Sequence, residues 1–490
     1  MRHKRAAVAV TALLLSGGVP AGLASAAPIR GGNAVISPRS ASNGTDVIDL
    51  GNLGGGASDA GAINDQGEVV GQSVGHAFSW TAAGGMVDLG DPFGTLPAST
   101  YAAGVNDAGV VVGDSTTLPP FTEAFAFTWT PAGGIALVGG LHFGDTPDAV
   151  AINSQGQMAG NNTTPTGTKH AVFWTAGHAP VDIGVLGGSS GGSSATALND
   201  NGQVVGTSST TTADDAFSWT QAGGIVDLGS LGGGSSDAVA LNNAGEVVGF
   251  SYNSHAQSHA FSWTAGGGMV DLGTLGGTMS QPFGINSYGQ VVGWSTNASG
   301  VADAFSWTQS GGMVDLGNFG GAGGSLAMAV NNGGEVIGRS QTASGDWDPF
   351  SWTSAGGMVD LGNLPGDWGY PVAINDAGQI VGYSFQAHNL GPDEATLWQP
   401  QNFGGGGGGG GGGGSGGGPA VGVVSAGGSL SSDPVGTTPT TSNPLVITVT
   451  SPLAGTVTID KTPPNTPVVG YRQLGLGATI SAPVTSTAAP

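Results

Sequence analysis

The apolar residues of this chain fall into short runs separated by glycine-rich turns. One stretch runs from Val226-Asp227-Leu228-Gly229 to Ala238-Val239-Ala240-Leu241-Asn242. It continues through Gly245-Glu246-Val247-Val248-Gly249 to His259-Ala260-Phe261-Ser262-Trp263. Short apolar runs bounded by turn residues are the signature of strands. Each unit therefore predicts four: a first of Ala-Val-Ala-Leu type, a second of Glu-Val-Val-Gly, a third of Ala-Phe-Ser-Trp and a fourth of Met-Val-Asp-Leu. Asn-Asp-x-Gly joins the first two, the polar side chains starting the turn and glycine taking its left-handed position. Thr-x-x-Gly-Gly joins the third and fourth with hairpin chemistry. The small residues of the first strand suit a strand crowded against an axis.

The unit repeats. A tryptophan recurs at Trp80, Trp129, Trp174, Trp219, Trp263, Trp307, Trp352 and Trp398, roughly every 45 residues, the period of propeller blades. An asparagine recurs in step at Asn64, Asn106, Asn153, Asn199, Asn242, Asn286, Asn331 and Asn375. Four-stranded antiparallel meanders repeated in this way predict an all-β fold, an eight-bladed β-propeller. The first unit opens on an orphan fourth strand, Val47-Ile48-Asp49-Leu50, and the last ends on an orphan third strand, Thr396-Leu397-Trp398. Pairing the two closes the ring and hides two sheet edges. Seven blades with one stray unit is the alternative; an open solenoid would leave both orphans unpaired.

The ends carry a different composition. Arg2, Lys4 and Arg5, the apolar stretch from Ala6 to Leu15 and Ala24-Ser25-Ala26 read as an export signal over residues 1–26. That apolar run falls far short of a membrane span of about 20 residues. A linker over 27–42 leads into the propeller, 43–402. A glycine-rich tether follows at 403–418, then a Pro/Thr/Ser-rich segment, 419–490. Its runs Leu445 to Thr450, Gly455 to Asp460 and Gly477 to Ala482 suit part of a β-sandwich, with disorder as the rival reading. There is no cysteine among the 490 residues, so disulfides and thiolate metal sites are excluded. Net charge is -23, and Lys169 and Arg339 are the only basic residues between Ser42 and Pro400. Such a surface repels nucleic acid and anionic lipid. The expectation is a monomer with no transmembrane segment and no cofactor.

His-Ala-Phe-x-Trp (His76 to Trp80, His259 to Trp263), Asp-Leu-Gly-x-Leu-Gly-Gly (Asp271 to Gly277) and Ile-Asn-Asp-x-Gly-x-Val-Val-Gly (Ile63 to Gly71) resemble the bacterial HAF-family extracellular repeat proteins. The resemblance covers about Asp46 to Trp398. It implies an exported repeat protein and no assigned chemistry. Phe125, Asp215, Asp303, Asp348 and Glu394 replace the motif histidine, and Leu137 replaces the aspartate of the fourth strand. That position is therefore not a fixed ligand.

Most recurring residues read as structure. The aspartates of the fourth strand (Asp49, Asp88, Asp182, Asp227, Asp271, Asp315, Asp360) are too spread for one ion and suit hydrogen bonds to glycine loops. His76, His170 and His259 lie on alternate blades and cannot share a zinc; His255 and His259 lack a third partner. The repeated tryptophans suit packing between blades. Function is sought where the repeat breaks, in the loops between second and third strands and between units, which share one face. There stand Asp346, Trp347 and Asp348 of unit seven and Asp367, Trp368 and Tyr370 leading into unit eight. Phe93, Tyr101, Phe121, His142 and Phe143 decorate the same face. Aromatic faces beside carboxylates suit a sugar or a peptide, whereas packing of loops over the blade rim explains them without a ligand. Three functions fit: a secreted non-catalytic binding or scaffold protein recognising glycan or peptide; an extracellular glycoside hydrolase or lyase using Asp346, Asp348 and Asp367; and a structural cell-envelope protein.

Overall fold

The computed structural model describes residues 39–40 and 45–400, apart from 94–97, 118–123, 143, 166, 176–179, 188–190, 365–366 and 387–392, together with five strands between 420 and 481. Residues 1–38 and the glycine-rich 403–418 lie outside the described residues, as do Phe121 and Phe143. Chain contacts divide the protein into two units, Met1–Gly404 and Gly405–Pro490.

The first unit is an eight-bladed β-propeller. Blade one is a four-stranded antiparallel meander of Ser58–Ile63, Val69–Ser73, His76–Thr81 and Gly85–Asp88. Six further blades follow over 98–138, 146–182, 193–227, 232–271, 276–315 and 320–360. Blade eight is built from Asp367–Ile374, Ile380–Gln386 and Glu394–Pro400, and its fourth strand is the N-terminal Thr45–Asp49. Val47 stands opposite Trp398 and Asp49 opposite Thr396, so the two orphan strands close the ring as their sequences require. Arg39–Ser40, within the expected linker, adds a short fifth strand to this blade.

Both valines of Val-Val-Gly are buried because each blade is covered on both sides. Neighbouring residues of a strand point to opposite faces. Val69 thus enters the core between blades eight and one, and Val70 the core between blades one and two. Eight such clusters fill the eight junctions. Phe78 and its counterparts are fully buried in them, each contributing about 1.5–3 kcal/mol. The tryptophans pack at the same junctions; Trp174 and Trp398 also donate their ring N–H to Gly139 and Gly362 of the preceding blade.

The first strand carries a bulge in every blade, between Ala60 and Ala62 in blade one. The bulge brings its backbone against the second strand. A Cβ on Gly71 would overlap the carbonyl oxygen of Asp59, and Gly338 meets the same obstacle at Leu326. This close approach explains the glycine of Val-Val-Gly.

The second unit pairs Ala420–Val424 with Gly455–Ile459, and Val446–Thr450 with both Ser429–Ser431 and Gly477–Ser481. The three strand-like runs of the tail are thus strands.

Candidate functional site

The two faces of the ring differ in what their polar groups do. On the face of the uniform turns, each recurring asparagine donates its side-chain amide to the backbone carbonyl of the next one. Asn64 bonds Asn106 at 2.9 Å, and the chain of bonds runs round all eight blades until Asn375 returns to Asn64 at 3.0 Å. Each asparagine oxygen also accepts backbone N–H groups of its own turn, as Asn64 does from Gln66 and Glu68. The next residue often adds a second link: Asp107 accepts from the N–H of Asp65, and Asp65 from that of Asp376. These groups line an axial cavity of ≈ 420 Å³. Burial raises the Asp65 carboxyl, opposed by the Asp376 N–H it accepts and reinforced by the charges of Asp376 and Asp107. The turn asparagine, which has a sufficient local explanation in the sequence, therefore also stitches blade to blade.

The fourth-strand aspartates are structural as well. Every one of the seven accepts the N–H of the glycine two residues on, as Asp227 does from Gly229 at 2.8 Å. In blades three and five the motif histidine pairs with this aspartate through Nδ1, His170 with Asp182 and His259 with Asp271, both at 2.9 Å. In blades six and seven an aspartate replaces the histidine, and an asparagine after the Asp-Leu-Gly turn donates to it: Asn318 to Asp303 at 2.9 Å and Asn363 to Asp348 at 2.7 Å. Among the described residues no group of three or more His, Asp or Glu is placed to hold a metal ion.

This separates the six candidates of blades seven and eight. Asp348 belongs to that structural position. Its carboxyl is raised by burial, held back by Asn363 and pushed up again by Asp360 and Asp346. Asp346 sits in a turn and accepts from the Ser344 hydroxyl at 2.8 Å. Trp347 and Asp348 begin the third strand of blade seven, Trp347–Thr353, rather than lying in a loop. Asp367, Trp368 and Tyr370 likewise open the first strand of blade eight, and the Asp367 side chain lies outside the described part. What comes together is aromatic. The Arg339 guanidinium carbon lies 5.0 Å from the Trp347 ring and 4.5 Å from the Tyr370 ring, between two blades. Tyr370 stacks on Tyr383 at 5.0 Å and 5°. Trp368 meets Phe385 edge-on at 5.6 Å.

Arg339 and Tyr383 occupy a position the loop-centred reading missed: the residue after Val-Val-Gly on the second strand. Round the ring it is Gln72, Asp114, Asn161, Thr207, Phe250, Trp294, Arg339 and Tyr383. Eight blades carry eight different side chains there, between an invariant glycine and a nearly invariant serine. Each sits across from a first-strand residue that varies almost as freely, including Asp59, Tyr101, Asp148 and Tyr370. Both positions lie at the end of the blade where the variable loops are, on its inner strands.

In blades one to four this side chain bonds the next blade. Gln72 donates to the Thr100 carbonyl at 2.9 Å; Asp114 and Asn161 accept the N–H of Ala149 and Ala195 at 2.8 Å; Thr207 donates to Asp237 at 2.7 Å. In blades five to eight none makes a hydrogen bond to the next blade among the described residues. At Phe250 and Arg339, which offer no acceptor, the position matching Ala149 is Pro282 or Pro371, which has no N–H to satisfy, whereas Trp294, also without an acceptor, faces Ala327.

The carboxylates of this ring are perturbed. Burial raises Asp114 to about 7, helped by the Asp148 charge and opposed by the Ala149 N–H. Burial and then Asp393 raise Asp59 to about 6. Burial, with Tyr370, Asp59 and Asp393 assisting and Arg339 opposing, pushes the Tyr383 hydroxyl to about 12.

No protein-family model and no curated protein matches the chain. Among solved structures it is similar to the β-propeller domain of the Trilobed protease from Pyrococcus furiosus, which has an open velcro topology. That match has 9% identity and TM-score 0.40, over 61% of this chain and 93% of that one. A structure of prolyl endopeptidases matches at 11% identity and TM-score 0.45, over 68% of this chain and 55% of that one. Streptogramin B lyase matches at 12% identity and TM-score 0.36, over 72% and 97%. These likenesses concern the propeller alone and carry no argument about activity.

Proposed function

We propose that the protein is a secreted, non-catalytic binding propeller of the HAF type, which takes glycan or peptide on its variable face where blades seven and eight meet. The observation behind this reading is the Trp347–Arg339–Tyr370–Tyr383 stack. It gathers aromatic surface and a cation at the ring position where other blades use their side chains for stitching. Aromatic planes beside a few polar groups are what ligand sites use to combine affinity with orientation. Export rests on the basic, apolar and small-residue succession at the N-terminus. A glycan and peptide array, read with the full chain and with Trp347→Ala/Tyr370→Ala, tests the site. The variant should lose bound signals by about tenfold or more, as for removal of two central aromatic anchors, while keeping its circular dichroism spectrum. Unchanged binding would remove the site from consideration.

A second reading, an enzyme acting on polysaccharide, draws on Asp114 and Asp148. One carboxyl poised near 7 beside a second is the arrangement acid–base hydrolysis of glycosides uses. Turnover on a polysaccharide panel that disappears in Asp114→Asn would favour it over pure binding.

A further inference from the structure

Arg339 is in an unusual state for the only arginine among residues 45–400 of a chain with net charge -23. It makes no ion pair or hydrogen bond among the described residues, and its Nε is buried without a partner. Its guanidinium carbon lies over both the Trp347 and the Tyr370 ring, at 5.0 and 4.5 Å. Its N–H donors lie in the guanidinium plane, a fork that fits a planar carboxylate. Beside Tyr370 lies the parallel ring of Tyr383, whose hydroxyl feels the charges of two carboxylates, Asp59 on the first strand of blade one and Asp393. Asp393 is tied to blade one, its carbonyl accepting the Ser58 N–H at 2.8 Å. The order across blades seven, eight and one is therefore cation, two stacked tyrosines, then a carboxylate pair.

This strip is electrically the complement of a zwitterion. We propose that it binds a short peptide with free termini. The peptide carboxylate sits on the Arg339 edge, its ammonium at Asp59 and Asp393, and its backbone crosses the rims of Tyr370 and Tyr383. The proposal rests on the reading of this face as the binding site and narrows its ligand. An acidic polysaccharide also offers carboxylates to Arg339. It repeats them along the chain, however, and would set further negative charge against Asp59 and Asp393. A peptide carries one charge of each sign at its ends, separated by about 3.3–3.6 Å per residue. Three residues, about 10 Å when extended, reach from Arg339 across the tyrosine pair, and two fall short.

The test is calorimetric titration of the full chain with a tripeptide bearing an apolar central residue, its C-terminal amide, its N-acetyl form, and oligogalacturonate. The free peptide should bind, and the amide and the N-acetyl form should each bind about tenfold or more weaker, the loss of one charge-assisted hydrogen bond. Arg339→Gln should erase the difference between acid and amide. Asp59→Asn should reduce the difference between free and acetylated amine. Arg339→Lys, which keeps the charge without the fork, should retain part of the preference, and thermal melts of all variants report folding. Equal binding of acid and amide, binding of oligogalacturonate alone, or no peptide binding at all overturns the proposal. If the peptides fail while Trp347→Ala/Tyr370→Ala still abolishes array signals, the site stands and only its ligand is wrong. If that double variant binds normally, the site itself falls.

Discussion

The inner ring of the variable face divides into two halves that share one scaffold and use it differently. In blades one to four the side chain after Val-Val-Gly is Gln72, Asp114, Asn161 or Thr207, and each one bonds the next blade. In blades five to eight it is Phe250, Trp294, Arg339 or Tyr383, and among the described residues none bonds the next blade. The backbone register is the same in both halves, with the bulge and the glycine retained throughout. The difference therefore lies in the side chains alone. A residue whose polar atoms satisfy a neighbouring backbone is committed to holding the ring. One whose polar atoms lack a partner adds nothing of that kind to stability, and its retention calls for another reason. Stitching thus belongs to the first half, and the second is free for the recognition proposed above.

The largest test of this division is the pH dependence of Asp114. Its carboxyl is raised from 3.8 to about 7 in the folded chain, chiefly by burial. The folded state therefore holds the proton more tightly than the unfolded chain, and stability falls as pH rises from about 4 towards 7, remaining lower above it. Asp114→Asn keeps an oxygen for the Ala149 N–H and removes the buried charge. The variant should be more stable than the parent at pH 8, by on the order of a few kcal/mol, and about equally stable at pH 4, in urea unfolding followed by tryptophan fluorescence. Tyr383→Phe, at the matching position of the other half, should leave the slope between pH 4 and 8 unaltered, because Tyr383 is pushed up to about 12. Asp59, raised to about 6, keeps part of the slope, but a slope undiminished in Asp114→Asn means its source lies elsewhere and Asp114 is not the strained member of the polar half.

A smaller effect comes from exchanging duties. The Asn161 oxygen is the acceptor for the Ala195 N–H, and the residue is 3% exposed. Asn161→Leu strands that donor and should cost about 1–3 kcal/mol while leaving ligand binding unchanged. Arg339→Gln should move stability by less than about 1 kcal/mol, since two cation–π contacts are given up as an unpartnered Nε is removed. It should change binding instead. A stability loss at Arg339 as large as that at Asn161 would break the distinction between the halves.

The ring was legible in the sequence because its evidence is additive. Eight copies of an apolar-apolar-Gly step, Val-Val-Gly in five of them, and of Trp declare the blades, and the unpaired Val47 to Leu50 and Thr396 to Trp398 declare the closure. The site was only partly legible. Looking where the repeat breaks finds Trp347 and Tyr370, which meet at Arg339. It also finds Asp346 and Asp348, which break the repeat for structural reasons, one by accepting within its turn and the other by exchanging a histidine–aspartate pair for Asn363. Arg339, Asp59 and Asp114 were missed because they lie in strands, between positions that hardly vary, and attention to loops passes over them. Their partners belong to the next unit, a contact that no single unit displays. The trace was nevertheless present: one column with eight different residues, and Pro282 and Pro371 standing where Phe250 and Arg339 offer no acceptor.

The smallest predicted effect lies at the seam where the two halves meet. Thr207, the last stitching residue, donates to Asp237 at 2.7 Å. Asp237 in turn stands opposite Phe250, the first residue of the aromatic half. Burial raises the Asp237 carboxyl, the Thr207 hydroxyl pulls it down, and the Asp214 charge pushes it up again. Thr207→Val keeps the shape and removes the donor, so the folded-state carboxyl should rise further. The cost appears where Asp237 is ionised in the folded chain. Stability should drop by about 1 kcal/mol at pH 8, the net worth of one hydrogen bond, and the loss should shrink as pH falls through the Asp237 titration, because the protonated acid no longer needs the donor. Urea unfolding of parent and variant at pH 8 and pH 4 reads both limits. A loss equal at the two pH values would mean that Thr207 acts by packing, and the polar half would then end at Asn161 rather than at the seam with Asp237.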